Sequence, residues 1–144
     1  MSDYSAAFKV NKAMGGFTVT FPDFGWGVSQ GDDLTQAEDM AHHLLRDLIA
    51  HMIRRDEVLP PPRKRSGRNY RTITLPPHEA AKVELYRSLK ASGLRKAEFA
   101  RRLGMPRANV NRLFDLNHST RFELLEAAFR ALGKRLVIHV EDAA

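Results

Sequence analysis

The 144-residue chain contains no cysteine. That removes disulfide frameworks, thiolate metal sites and thiol nucleophiles together. Tryptophan occurs once, as Trp26. No apolar run approaches the ~20 residues that cross a bilayer. The N-terminus has no basic region followed by an apolar stretch, so the expectation is a cytoplasmic protein with no membrane partner. What is present, 43% hydrophobic and 28% charged residues, has the proportions of a soluble globular protein. The length suits one or two small domains with modest cores.

The net charge of +6 is unevenly laid out. Residues 1–57 hold five Lys/Arg against nine Asp/Glu, whereas residues 58–144 hold 18 against eight. A split of this kind points to two partners of different character. The basic half suits a polyanion, since each neutralised phosphate releases counterions and adds affinity. The acidic half does not.

In the acidic half, Phe8 and Val10 alternate with Lys9 and Asn11. Gly15-Gly16 reads as a tight hairpin turn, and Phe17, Val19 and Phe21 alternate with Thr18 and Thr20. Pro22-Asp23 ends that strand. Trp26–Gln30 gives a third short strand. Thr35 and Glu38 have capping-box spacing before a stripe of Ala37, Met40, Ala41, Leu44, Leu45, Leu48, Ile49, Met52 and Ile53. Such a stripe covers one face of a sheet. His42, His43 and His51 fall among Glu38, Asp39 and Asp47, but one helix cannot make them converge, so no metal site is expected. Residues 59–70 read as a Pro/Arg-rich linker whose basic run, RKRSGR, could touch phosphate, although such short runs are more often merely solvated. Residues 71–75, RTITL, supply a fourth strand with Ile73 buried. The result is a β-β-β-α-β domain over residues 1–76.

The basic half, residues 77–144, is organised around Leu94–Phe114. It predicts two short helices meeting at a corner on Gly104, with Ala100 small where the backbones approach. Phe99, Leu103, Val110 and Leu113 fill the wedge. Arg95, Lys96, Arg101, Arg102, Arg107, Asn109, Asn111 and Arg112 form the outer face. An ordinary helical hairpin with a solvated face is the plainer alternative. A helix from Pro76-Pro77 to Ser92-Gly93 backs the pair. Thr120 and Glu123 repeat the capping-box spacing before a last helix with Leu125, Ala128, Phe129 and Leu132 buried, and Gly133 caps it. Leu136, Ile138 and Val140 then alternate as a strand. That strand needs an edge to pair with, either the same strand of a second copy, giving a homodimer, or the N-terminal sheet of its own chain.

If the corner is a DNA-binding helix-turn-helix, its second helix puts Arg107, Asn111 and Arg112 against base edges, with Asn109 beside them. Arginine reads guanine and asparagine reads adenine, each for ~1–3 kcal/mol of discrimination. Lys96 and His118 are placed for phosphate. A homodimer would read palindromic operator DNA.

Residues 15–37, GGFTVTFPDFGWGVSQGDDLTQA, resemble the N-terminal domain of HicB antitoxins, through Gly16, Phe17, Val19, Phe21, Pro22, Asp23, Gly31, Leu34 and Ala37. Residues 97–136, AEFARRLGMPRANVNRLFDLNHSTRFELLEAAFRALGKRL, resemble the helix-turn-helix form of the same family. Gly25 stands where many members have proline, and Lys96 where a glutamine is common. The resemblance implies an α+β protein, with a truncated ribonuclease-H-like N-terminal domain lacking nuclease activity and a C-terminal helix-turn-helix bundle. It also implies inhibition of a HicA-type mRNA-cleaving ribonuclease toxin and repression of the shared operon, with no cofactor.

An acidic domain suits the basic surface around such a toxin's active site, and Asp23, Trp26, Asp32 and Asp33 are the contact candidates. Two other readings stand beside it. A two-metal nuclease would draw on Asp23, Asp32, Asp33, Glu38 and Asp39, yet no carboxylate lies within Phe8–Val10 or Phe17–Phe21, where such a cluster belongs. A stand-alone transcriptional repressor would use the N-terminal domain to sense a ligand or a protein.

Overall fold

The structure, a computed structural model, describes residues 3–143. Among them are a four-stranded antiparallel sheet and five helices. The chain packs as two units, Met1–Glu84 and Leu85–Ala144. The division falls inside a helix rather than at the expected boundary after residue 76.

In the first unit Tyr4, Ala6 and Phe8 alternate onto the buried face of β1 (Asp3–Val10). β2 (Phe17–Thr20), β3 (Ser29–Gly31), α1 (Leu34–Arg54) and β4 (Tyr70–Thr74) follow, in sheet order β3-β2-β1-β4. The strand expected around Phe8 and Val10 thus starts earlier, at Asp3. Its first half, Asp3–Ala7, pairs with β4, and its second half, Ala7–Val10, pairs with β2. The third strand is shorter than Trp26–Gln30, because Gly25 and Gly27 adopt left-handed φ of 76° and 83° that no ladder admits.

Two glycines set the spacing of these layers. A Cβ on Gly16 would lie 2.2 Å from the Gly31 carbonyl oxygen, and one on Gly31 would lie 2.3 Å from the Ala37 nitrogen. β2, β3 and the first turn of α1 thus meet backbone to backbone. The helix cap sits two residues ahead of the expected Thr35 and Glu38. The Asp33 carboxylate accepts the Gln36 N–H at 2.8 Å, and the Gln36 side chain accepts the Asp32 N–H. Gly31 brings the chain to the helix start that early, and aspartate is among the preferred N-caps. Ala37, Ala41, Leu45, Leu48, Ile49 and Ile53 are buried as the stripe requires, with Met40, Leu44 and Met52 half-buried at its margins.

Residues 59–70 are not a free linker. Leu59 is buried, and the Tyr4 hydroxyl, itself buried, donates to the Pro60 carbonyl at 2.7 Å. The Arg63 N–H donates to Asp23 Oδ2 at 2.9 Å and the Arg65 N–H to Ser5 Oγ at 3.2 Å. The Asn69 carbonyl then accepts the Phe8 N–H at 2.7 Å. This strap is stitched to β1 and to the loop after β2 before β4 begins.

In the second unit the last turns of α2 (Pro77–Ser92) precede α3 (Lys96–Leu103), α4 (Arg107–Leu113) and α5 (Phe122–Ala131). Tyr86, Leu89, Phe99, Val110, Leu113, Phe114, Leu125 and Phe129 are its core. α5 begins at Phe122 after Arg121, with no side-chain cap, and Thr120 is buried instead of capping. Its other end matches expectation. Gly133 is left-handed at φ 72°, and the N–H groups of Gly133 and Lys134 close onto the Arg130 and Phe129 carbonyls, both at 2.9 Å. Beyond it the expected strand at Leu136, Ile138 and Val140 is absent from the single chain. The sheet consists of β1–β4, so this segment does not join it, and a lone segment has no ladder to complete. Val137, Ile138 and Val140 are 66%, 64% and 85% exposed.

Candidate functional surfaces

The first surface is the corner between α3 and α4. α3 ends on Gly104, left-handed at φ 66°, and the Gly104 and Met105 N–H groups bond the Arg101 and Ala100 carbonyls, each at 3.1 Å. No atom lies within 4 Å of a Cβ built on Gly104, so its requirement is conformational and not steric. Pro106, extended at ψ 146°, launches α4, and its carbonyl accepts the Asn109 and Val110 N–H groups at 3.0 and 3.2 Å. Phe99 and Ala100 from α3 and Val110 and Leu113 from α4 are buried in the wedge. Burial of those residues fixes which side chains of α4 remain outside.

Arg107, Asn111 and Arg112 are exposed, with Arg107 and Asn111 one turn apart on the same face. Asn109 is half-buried and turned off that face. Lys96 heads α3 with its ammonium 5.7 Å from the centre of the Phe114 ring. That contact holds the cation near the corner at little energy, about 0.5–1 kcal/mol. His118 is exposed in the loop after α4. Arg101 and Arg102 are less available than the sequence suggested. Arg101 pairs with Glu98, and Arg102 approaches Glu98 at 4.0 Å while donating to the Ala131 carbonyl at 3.3 Å. Arg102 therefore ties α3 to the end of α5, a role no sequence pattern revealed.

The second surface lies on the first unit. Trp26 is 46% exposed, and its ring meets the His51 imidazole edge-on at 5.1 Å between centroids. Gly27 lets the loop settle on α1, where its Cβ would be 2.8 Å from a Leu48 methyl. Asp32 and Asp33 are exposed at the head of α1, although the Asp33 carboxylate also caps that helix. Beside them a shallow open groove is lined by Asp33, Thr35, Gln36, Glu38, Asp39 and His42.

Asp23 departs from its expected part. Its side chain is only 3% exposed and binds the Arg65 guanidinium at 3.1 Å as well as the Arg63 N–H. It is an internal anchor for the strap and not a free contact. Among the described residues, no three His, Asp or Glu side chains gather as metal ligands would. No helix there is long and apolar enough to cross a membrane.

The profile of the HicB-like antitoxins of bacterial toxin–antitoxin systems matches residues 3–84. The chain belongs to that family. The match ends where the first packing unit ends, at Glu84. The likeness to whole HicB proteins extends further. Antitoxin HicB of Escherichia coli K12 is 31% identical over 122 residues, which is 85% of this chain and 88% of that protein. Antitoxin HicB of Pseudomonas fluorescens Pf0-1 is 31% identical over 140 residues, 97% and 96% of the two chains. A chain of a toxin–antitoxin complex from Streptococcus pneumoniae is 29% identical with a TM-score of 0.40, and the match spans 43% of this chain and 44% of that one. This HicB-like chain is therefore the antitoxin member of a toxin–antitoxin system.

Proposed function

We propose that this antitoxin works with two separate surfaces. The first unit, in our reading a truncated ribonuclease-H-like fold, covers the active site of a HicA-type mRNA-cleaving ribonuclease. The second unit grips palindromic operator DNA through a helix-turn-helix made by α3 and α4, as the repressor of its own operon, in the cytoplasm. Family membership carries the reading, and the left-handed Gly104 corner with Arg107, Asn111 and Arg112 outside supports its DNA-binding half.

The toxin contact centres on Trp26, Asp32 and Asp33. Trp26 offers a large apolar face held in place by His51, and aromatic anchors dominate interface energies. The two carboxylates complement a basic catalytic surface and steer its approach. An interface of ~1,600 Å² blocks substrate with no chemistry from the antitoxin, so the chain acts as a ribonuclease inhibitor and not as an enzyme. In the tail, Leu136, Ile138 and Val140 pair with the same segment of a second copy. The pairing brings two recognition helices to one palindrome.

Mixing the purified chain with the product of the adjacent reading frame and assaying RNA cleavage tests the first half. Undiminished cleavage refutes it and leaves a stand-alone repressor as the surviving alternative. For the second half, Arg112→Ala relaxes preference between matched and scrambled operators, whereas Lys96→Ala weakens both alike. Equal losses in both variants would remove the assignment of base and phosphate contacts.

A further inference from the structure

The strap over residues 59–70 carries Arg63, Lys64, Arg65 and Arg68, four cations within six residues, on a unit whose first 57 residues are acidic. Its path is fixed at Pro60, Arg63, Arg65 and Asn69 by bonds to Tyr4, Asp23, Ser5 and Phe8. One of the four cations, Arg65, is matched by the nearly buried Asp23 carboxylate. Among the described residues, the side chains of Arg63, Lys64 and Arg68 have no ion-pair or hydrogen-bond partner, and all three are exposed.

A connector that merely needs solubility has no reason to hold like charges on one fixed path, where they repel. Fixing them in advance removes the ordering entropy an anionic partner would otherwise have to overcome. The strap holds no aromatic residue before Tyr70 on which an unpaired base could stack. Its chemistry therefore matches a regular array of phosphates and not base faces.

We propose that this strap is a second nucleic-acid surface of the antitoxin. It binds the phosphate backbone of a duplex without sequence preference, and it does so independently of the α3–α4 corner. Three unmatched cations give modest affinity and a steep response to salt. DNA and RNA duplexes offer the same phosphates, so the choice between them is experimental.

The test uses the full chain and the Lys64→Ala/Arg68→Ala double variant, which leaves every stitch of the strap intact. Both are titrated with random-sequence DNA and RNA duplexes over roughly 50–200 mM salt, in the native background and with Arg107→Ala/Arg112→Ala. The double variant should bind roughly tenfold or more weakly at the low-salt end, with a log–log salt slope shallower by about 1.8, in both backgrounds. Lys64→Arg/Arg68→Lys should restore the slope. Whichever duplex shows the change is the source of the phosphates.

Equal affinity and slope for the double variant, or no duplex binding by the native chain, overturns the proposal. A change of oligomeric state without nucleic acid also overturns it, since the strap would then serve the acidic groove of a second copy. Operator preference is scored separately, so loss of the repressor reading and loss of this one are distinguishable.

Discussion

Replacing Gly31 with alanine should destabilise the first unit measurably while adding a single methyl group. That methyl would stand 2.3 Å from the Ala37 nitrogen, 2.5 Å from its Cα and 2.8 Å from the Gln36 carbonyl carbon. All three are backbone atoms of the first turn of α1, so no rotamer change relieves the clash. Relief requires a shift of about 1 Å or more to reach ordinary contact distance. The cheapest movement peels β3 from its sole neighbour β2, across the pairs Phe17–Gly31, Thr18–Gln30 and Val19–Ser29. Overpacking costs about 1–3 kcal/mol, and each ladder bond lost adds about 0.5–1.5 kcal/mol. The expected loss is about 2–4 kcal/mol. At a urea m-value of about 1.5 kcal/mol/M, the midpoint falls by roughly 1.3–2.7 M. The chain's one tryptophan lies beside His51 in this unit, so its fluorescence reports this transition. Gly15→Ala is the control. Gly15 is left-handed at φ 77°, as Gly31 is not, but it has open space around its Cβ and should lose only about 1–2 kcal/mol. Equal midpoints for Gly31→Ala and the native chain would refute the close-approach argument.

Two further perturbations separate the strap from the corner. Asp23→Ala removes the carboxylate that holds both the Arg63 N–H and the Arg65 guanidinium. It should lower stability by about 1–2 kcal/mol, discounted because Arg65 is one-third exposed, and should speed tryptic cutting after Lys64 and Arg65. An unchanged digestion rate counts against the stitching. Phe99→Ala empties the wedge between α3 and α4, at about 3–5 kcal/mol. It should abolish operator binding in a gel shift, and retention of full affinity would show that the corner is not the DNA surface.

Periodicity exposed the long elements. The α1 stripe, the Gly104 corner and the Gly133 cap were all legible, because each rests on a local pattern of period or on one conformationally special residue. Features that depend on distant partners were not. Tyr4 and Ala6 are buried because β4 arrives from more than sixty residues on. Asp23 looks like a loop carboxylate until Arg63 and Arg65 fold back on it. Residues 59–70 have the composition of a solvated linker, and only their distant partners Tyr4, Ser5 and Phe8 of β1 and Asp23 after β2 reveal that they are pinned. Caps were displaced for a related reason. Thr35 and Thr120 have the right spacing, but neighbouring backbone geometry decides where each helix starts.

The split pairing of β1 also has a temporal side. β1 is made before β4, so its edge at Asp3–Ala7 stays uncovered until Tyr70–Thr74 has been translated. Closing so large a loop is entropically slow. A nascent antitoxin is therefore incomplete through most of the synthesis of its first unit. Messages truncated ahead of the codon for Tyr70 should yield sticky, inert fragments and not partial inhibitors.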